Sequence, residues 1–175
     1  MEDFIFTLKM IIIGLVQGFT EPIPVSSSGH VMIVSELLGV GEQGFTFAIL
    51  TNTASLLAIL LIYRQDIIRL ATNSISYVQK KDTRYKSDFR FVLFIIIGTI
   101  PAGILGVLLS DWIAESISLT VIAIMLFITG LALWTIRNMK GTKGEKDLTA
   151  KDAWIVGLGQ AVALTPGISR SGATI

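Results

Sequence analysis

The chain has no cysteine, one histidine, four prolines, and charged side chains at only 15% of its 175 positions. Without cysteine there are no disulfides and no thiolate metal sites, and compartment is left open. The scarcity of charge excludes more. A soluble domain carries about a quarter charged residues, whereas this chain is 52% hydrophobic with a mean hydropathy of +0.72. A removable signal peptide is not expected, because acidic Glu2 and Asp3 open the chain and no small-residue cleavage site follows the first apolar run. The net charge of +1 hides an uneven distribution. Of the fourteen Lys and Arg, seven lie from Arg64 to Arg90 and five from Arg137 to Lys151, leaving only Lys9 and Arg170 elsewhere.

What the chain does have is apolar length. A bilayer core of about 30 Å takes roughly 20 apolar residues in a helix. Three uncharged stretches predict full spans, at 45–63, 91–109 and 117–136. The middle one carries Gly98, Ala102 and Gly106 at intervals of four, a small-residue stripe read as ordinary close packing that would also permit a homodimer. Positive charge marks the cytoplasmic side. It places loops 64–90 and 137–151 there, and the acidic turn 110–116 outside. Within the first loop, Ile67, Ile68, Ala71, Ile75 and Val78 recur at near-helical spacing. They predict either a short helix lying on the leaflet, its basic cluster at 80–86 near anionic headgroups, or a plain solvated loop.

Two other apolar regions are broken. Leu8–Val16 and Val31–Leu38 are each too short to cross, and between them lies QGFTEPIPVSSSGH with two prolines, three serines, Glu21 and His30. Polar irregular backbone at membrane depth survives only where protein or a water-filled cavity surrounds it, so a re-entrant hairpin over 8–38 is expected. The second such region starts at Ala153 and reaches Pro166, Gly167 and then SRSGAT.

Shifting the chain by 143 residues superposes the two. Gly14, Leu15, Gln17, Ser26, Ser28 and Gly29 fall on Gly157, Leu158, Gln160, Ser169, Ser171 and Gly172, six identities in sixteen positions. A chance match of Ser and Gly clusters is the plainer alternative. Three spans separate the two hairpins, an odd number, so the second enters from the opposite face. The expected fold is all-α: a polytopic membrane protein with an inverted-topology repeat, two re-entrant helical hairpins and three full transmembrane spans. The first repeat occupies 1–152 and the second begins at 153–175. By symmetry it would need about 100 further residues, which predicts an N-terminal portion of a longer protein.

Ionisable groups inside a membrane mark functional sites. Arg170, between two serines and beside Gly172, offers the bidentate clamp that suits phosphate or carboxylate, and glycine-flanked amides with hydroxyls complete an anion cradle. A structural salt bridge from Arg170 to Glu21 is the plainer alternative. His30 is a candidate general acid or base, and a serine beside it a candidate nucleophile. Glu21 is open to three roles: orienting water, holding a divalent ion, or acting as the base.

At QGFTEPIPVSSSGH and PGISRSGAT the sequence resembles the undecaprenyl-diphosphate phosphatase family, also called the bacitracin-resistance family, over roughly the first two-thirds of a typical member. The resemblance implies hydrolysis of undecaprenyl diphosphate to the monophosphate, which recycles the lipid carrier of cell-wall synthesis, in a multi-pass protein of the bacterial plasma membrane. It implies catalytic Glu21, Ser27 and His30. Arg170, Ser169, Ser171, Ser26, Ser28, Gly29, Gly172, Thr174 and Gln17 would bind substrate. Glu21 would also hold a divalent cation, magnesium or calcium. The implied partners are a polyprenyl diphosphate lipid and the membrane, with no nucleic acid. Many members have glutamate where this chain has Gln17, and an aromatic where it has Pro22. Two rivals are an inverted-repeat secondary transporter or lipid flippase, and a second membrane phosphatase family with a similar Ser-Gly-His. The first needs no base beside a hydroxyl. The second needs an upstream basic motif, and only Lys9 precedes the first tip.

Overall fold

The computed structural model describes residues 1–116, 118–144 and 147–175, with the side chains of 42–45 and 114–116 outside that description. Phe45 and Ile117 of the expected spans, Glu115 of the expected turn, and loop residues Glu145 and Lys146 fall outside it. Among the described residues there is no strand. The α-helices among the described residues are, in chain order, α1 Glu2–Thr20, α2 Ser27–Leu37, α3 Gly41–Ile62, α4 Arg64–Lys80, α5 Lys86–Ser116, α6 Leu119–Ile136, α7 Ala150–Val162 and α8 Arg170–Thr174.

The first segment differs from expectation. Leu8–Val16 is the middle of a 19-residue helix that is long and apolar enough to cross a membrane. Glu2 and Asp3 do not shorten it, because carboxylates in a first turn complement the helix dipole. Pro22 and Pro24 then stop it, since proline lacks the N–H the next turn would need. α2 starts after Ser26, which sits in the left-handed region at φ 65°, and ends at left-handed Gly39. It returns along α1 through a small core of Ile13, Val31 and Val40.

α5 and α6 also meet the length and apolarity of a span. Residues 46–62, the part of α3 whose side chains are described, are uncharged and pass the same test together with α4, from which they are bent by 66°. The stretch 67–78 is therefore helical, as one of the two readings had it. The predicted turn at 110–116 is not a turn: α5 stays helical to Ser116, giving 31 residues, or about 46 Å of rise. Large apolar side chains point outward all along these helices, with Phe127 73% and Val107 79% exposed. Such a surface belongs against lipid or protein, not water.

The small-residue stripe seats α7 of the same chain. A Cβ on Gly98 would lie 3.1 Å from the Ala153 carbonyl oxygen, and one on Gly157 would overlap the Gly98 carbonyl. That contact fills the surface on which the homodimer expectation rested. α7 itself is started by a capping box in which Thr149 and Asp152 satisfy each other's backbone N–H.

The helix boundaries repeat at the motif offset. α2 begins at Ser27 and α8 at Arg170, 143 positions later, each after a serine N-cap.

Candidate active site

Two tips carry the polar motifs. The first is the turn 21–26 with the start of α2, and the second is the turn 163–169 with the start of α8. Both are favoured locally, because Pro22, Pro24 and Pro166 remove backbone donors and Gly167 takes φ +98°, a conformation L side chains rarely adopt. Within each tip a pair of serines two apart meets: Ser26 Oγ to Ser28 Oγ at 3.4 Å, and Ser169 Oγ to Ser171 Oγ at 3.2 Å.

The tips touch. A Cβ on Gly29 would lie 3.1 Å from Gly167 Cα, and one on Gly172 would lie 3.3 Å from the Pro24 carbonyl oxygen. Hydrogen at these α-carbons gives the two backbones room to approach this closely, where a methyl would push its neighbours back by a few tenths of an ångström.

Beside that junction lies a cavity of about 480 Å³. Gln17 lines it from α1, Glu21, Ser26, Ser27 and Ser28 from the first tip, and Ser169, Arg170 and Ser171 from the second. Ser27 Oγ donates to Glu21 Oε2 at 2.5 Å, and Gln17 Nε2 donates to the same oxygen at 2.8 Å. Gln17 Nε2 also reaches Asn52 Oδ1 at 3.5 Å. The result is a hydroxyl held on a carboxylate, with a guanidinium on the same cavity. Among the described residues no ion pair joins Arg170 to Glu21, so the salt-bridge alternative is not the arrangement found. A hydroxyl on a carboxylate is the pairing that activates an oxygen nucleophile, and a guanidinium suits a phosphate anion.

A family model described as "Bacitracin resistance protein BacA" matches residues 10–175. The chain belongs to the BacA family. It is 54% identical to undecaprenyl-diphosphatase 1 of Bacillus cereus, an alignment covering 100% of this chain and 65% of that protein. It is likewise 54% identical to the undecaprenyl-diphosphatase of Oceanobacillus iheyensis, and 48% identical to undecaprenyl-diphosphatase 1 of Halalkalibacterium halodurans. These cover 99% of this chain and 64% of each relative. The chain thus spans about 65% of the length of the curated relatives it matches.

Not every predicted site residue of this BacA-family chain lines the cavity. Gly29 and Gly172 form the junction between the tips. Thr174 turns its hydroxyl back to the carbonyls of Arg170 and Ser171. His30 Nδ1 lies 2.9 Å from the Ser26 carbonyl oxygen. A carbonyl only accepts, so Nδ1 carries the proton in that bond.

Two residues that the sequence reading passed over belong here. Asn52 lines the cavity from α3, and its signal was present in the polar Thr51-Asn52-Thr53 triplet inside an uncharged span. Thr129, in α6, bonds to the second tip, and it is the one hydroxyl between Val121 and Trp134. No group of three or more His, Asp or Glu able to hold a metal occurs among the described residues, and Glu21 is the single carboxylate on the cavity. That donor set fits a cation of the magnesium type, which commonly uses one or two carboxylates and takes its other ligands from phosphate and water.

Proposed function

We propose that this BacA-family chain forms the phosphate-binding part of a diphosphatase that converts undecaprenyl diphosphate to undecaprenyl phosphate and inorganic phosphate. The observation carrying this reading is that Ser27 donates to Glu21 on the same cavity that Arg170 lines. The names of its relatives point to the same substrate. A transporter would have no need of that hydroxyl–carboxylate pair.

In this reading Glu21 takes the Ser27 hydroxyl proton as the oxygen attacks the terminal phosphorus. The bond from that phosphorus to the bridging oxygen breaks, and undecaprenyl phosphate leaves. Water then hydrolyses the phosphoserine and releases phosphate. Arg170 balances the charge on the equatorial oxygens, while Ser26, Ser28, Ser169 and Ser171 donate to the diphosphate. Gln17 holds the Glu21 carboxylate in place, Gly29 and Gly172 let the tips meet, and Thr174 closes the turn that carries Arg170. His30 serves as a general acid or base. Glu21, together with oxygens of the diphosphate and water, would hold magnesium or calcium. When bound, that cation would neutralise the diphosphate.

We further infer an inverted-topology, multi-pass arrangement in the bacterial plasma membrane, with 64–90 and 137–151 on the cytoplasmic side and the tips near the midplane. The 143-residue offset of the helix starts supports it. So does the length of α2, eleven residues or about 16 Å, which reaches only half-way through the core.

The test is phosphate release from a long-chain polyprenyl diphosphate in detergent, with EDTA and with added magnesium. It compares the 175-residue chain, the protein extended to the length of its relatives, and that extended protein carrying Arg170→Ala. Magnesium-dependent release that disappears in the variant supports the proposal. A folded extended protein that releases nothing overturns it.

A further inference from the structure

α6 is the wall on which both tips rest. Ile122, Met125, Leu126 and Thr129 stand at i, i+3, i+4 and i+7, one face of the helix. A Cβ on Gly29 would meet Leu126 at 3.1 Å. One on Gly167 would meet Met125 Cβ at 2.7 Å and the Ile122 carbonyl oxygen at 2.8 Å. Thr129 is the polar member of this stripe and is 7% exposed.

Its hydroxyl does two things at once. Oγ1 donates to the Gly167 carbonyl at 3.0 Å and accepts from the Ser169 N–H at 3.3 Å, both buried and joining segments about forty residues apart. Gly167 holds φ +98°, outside the helical region. Ser169 is 2% exposed and cannot give its N–H to water. The same Ser169 then uses its side chain to cap α8, accepting from Gly172 N at 3.1 Å, and meets Ser171 Oγ. Arg170 lies between those two serines, on a backbone that Thr129 ties down on its N-terminal side.

We propose that Thr129 is a positioning residue for the phosphate-binding tip: its hydroxyl locks the backbone from Gly167 to Ser169 against α6, and so sets where Arg170, Ser169 and Ser171 stand in the cavity. The inference rests on the diphosphatase reading for its kinetic consequence, but the lock itself is a property of this backbone. Valine is the informative replacement, because it keeps the shape and removes both hydrogen bonds. Serine is the control, because it keeps both.

The experiment uses the protein at the length of its relatives and compares wild type, Thr129→Val and Thr129→Ser. Hydrogen exchange of the 165–172 amides reads the lock, and thermal unfolding in detergent reports the fold. Phosphate release against lipid concentration separates KM from kcat. Thr129→Val is expected to speed exchange in that segment and raise KM about tenfold, with a smaller change in kcat and with Thr129→Ser close to wild type. Unchanged exchange in Thr129→Val overturns the proposal, and so does faster exchange with unchanged KM. Equal losses in the valine and serine variants would mean packing alone, and would also overturn it. If wild type releases no phosphate, the diphosphatase reading fails separately. The lock is then judged by pyrophosphate affinity: weakening in Thr129→Val but not Thr129→Ser supports it, and anything else overturns it.

Discussion

Gly29 and Gly167 stand α-carbon to α-carbon at the junction of two turns far apart in the chain, so close that a methyl on Gly29 would lie 3.1 Å from Gly167 Cα. The two glycines are not equivalent. At Gly29 the other close neighbour is the Leu126 side chain, which can yield, and the backbone is ordinary helix. At Gly167 the neighbours are backbone and Cβ atoms of α6, and φ is +98°. Gly29→Ala is therefore expected to cost about 1 kcal/mol and Gly167→Ala about 3 kcal/mol. Thermal unfolding of both variants in one detergent checks the order, and equal shifts would contradict it.

The Ser27–Glu21 hydrogen bond predicts a shared loss. Ser27→Ala and Glu21→Gln should each lower kcat on the order of a hundredfold or more, and the double variant should be little worse than either, because the two act as one unit. Multiplying losses in the double variant would separate the two roles.

Arg170 is assigned to planar, two-point recognition of phosphate oxygens. Arg170→Lys keeps the charge and loses the fork, so kcat/KM is expected to fall by about tenfold or more without recovery at low salt. Wild-type kinetics with lysine would show that charge alone suffices.

At the start of α7, Lys143 and Thr149 both hydrogen-bond to Asp152 and hold its carboxyl at a pKa of about 2, below the ordinary 3.8. A depressed carboxylate stabilises the folded state above its ordinary pKa, and that contribution fades as pH falls towards 2. Amide protection in the first turn of α7 should decline over that window, and Asp152→Asn should remove the pH dependence. Thr149→Ala, which takes away the other half of the capping box, is expected to cost about 1 kcal/mol at neutral pH.

Much of this was legible because it is local. Proline lacks the N–H a helical turn uses, and where two stand close together, as Pro22 and Pro24, or one precedes a glycine, as Pro166, the helix breaks, whereas the lone Pro101 stays inside α5; the residue types at both breaks already suited a phosphate anion. Where local reading failed, a local signal misled. The apolar run at 8–16, followed by the polar motif that begins at Gln17, made the first segment look short, yet α1 extends beyond that run at both ends. Asp111 and the polar residues near it suggested a turn, yet nothing there forbids the helix that runs to Ser116.

The sequence by itself determined the apolar, helical character of the chain, the place of the two polar motifs with their 143-residue repeat, and the uneven placement of its positive charge. Tertiary structure decided which side chains share a cavity. Helices that are apolar on every side, such as α6, carry no periodic face to say which residues point inward. That choice fell to close approach at Gly29, Gly98, Gly157 and Gly167, where backbones from distant segments meet and bring Asn52 and Thr129 to the site.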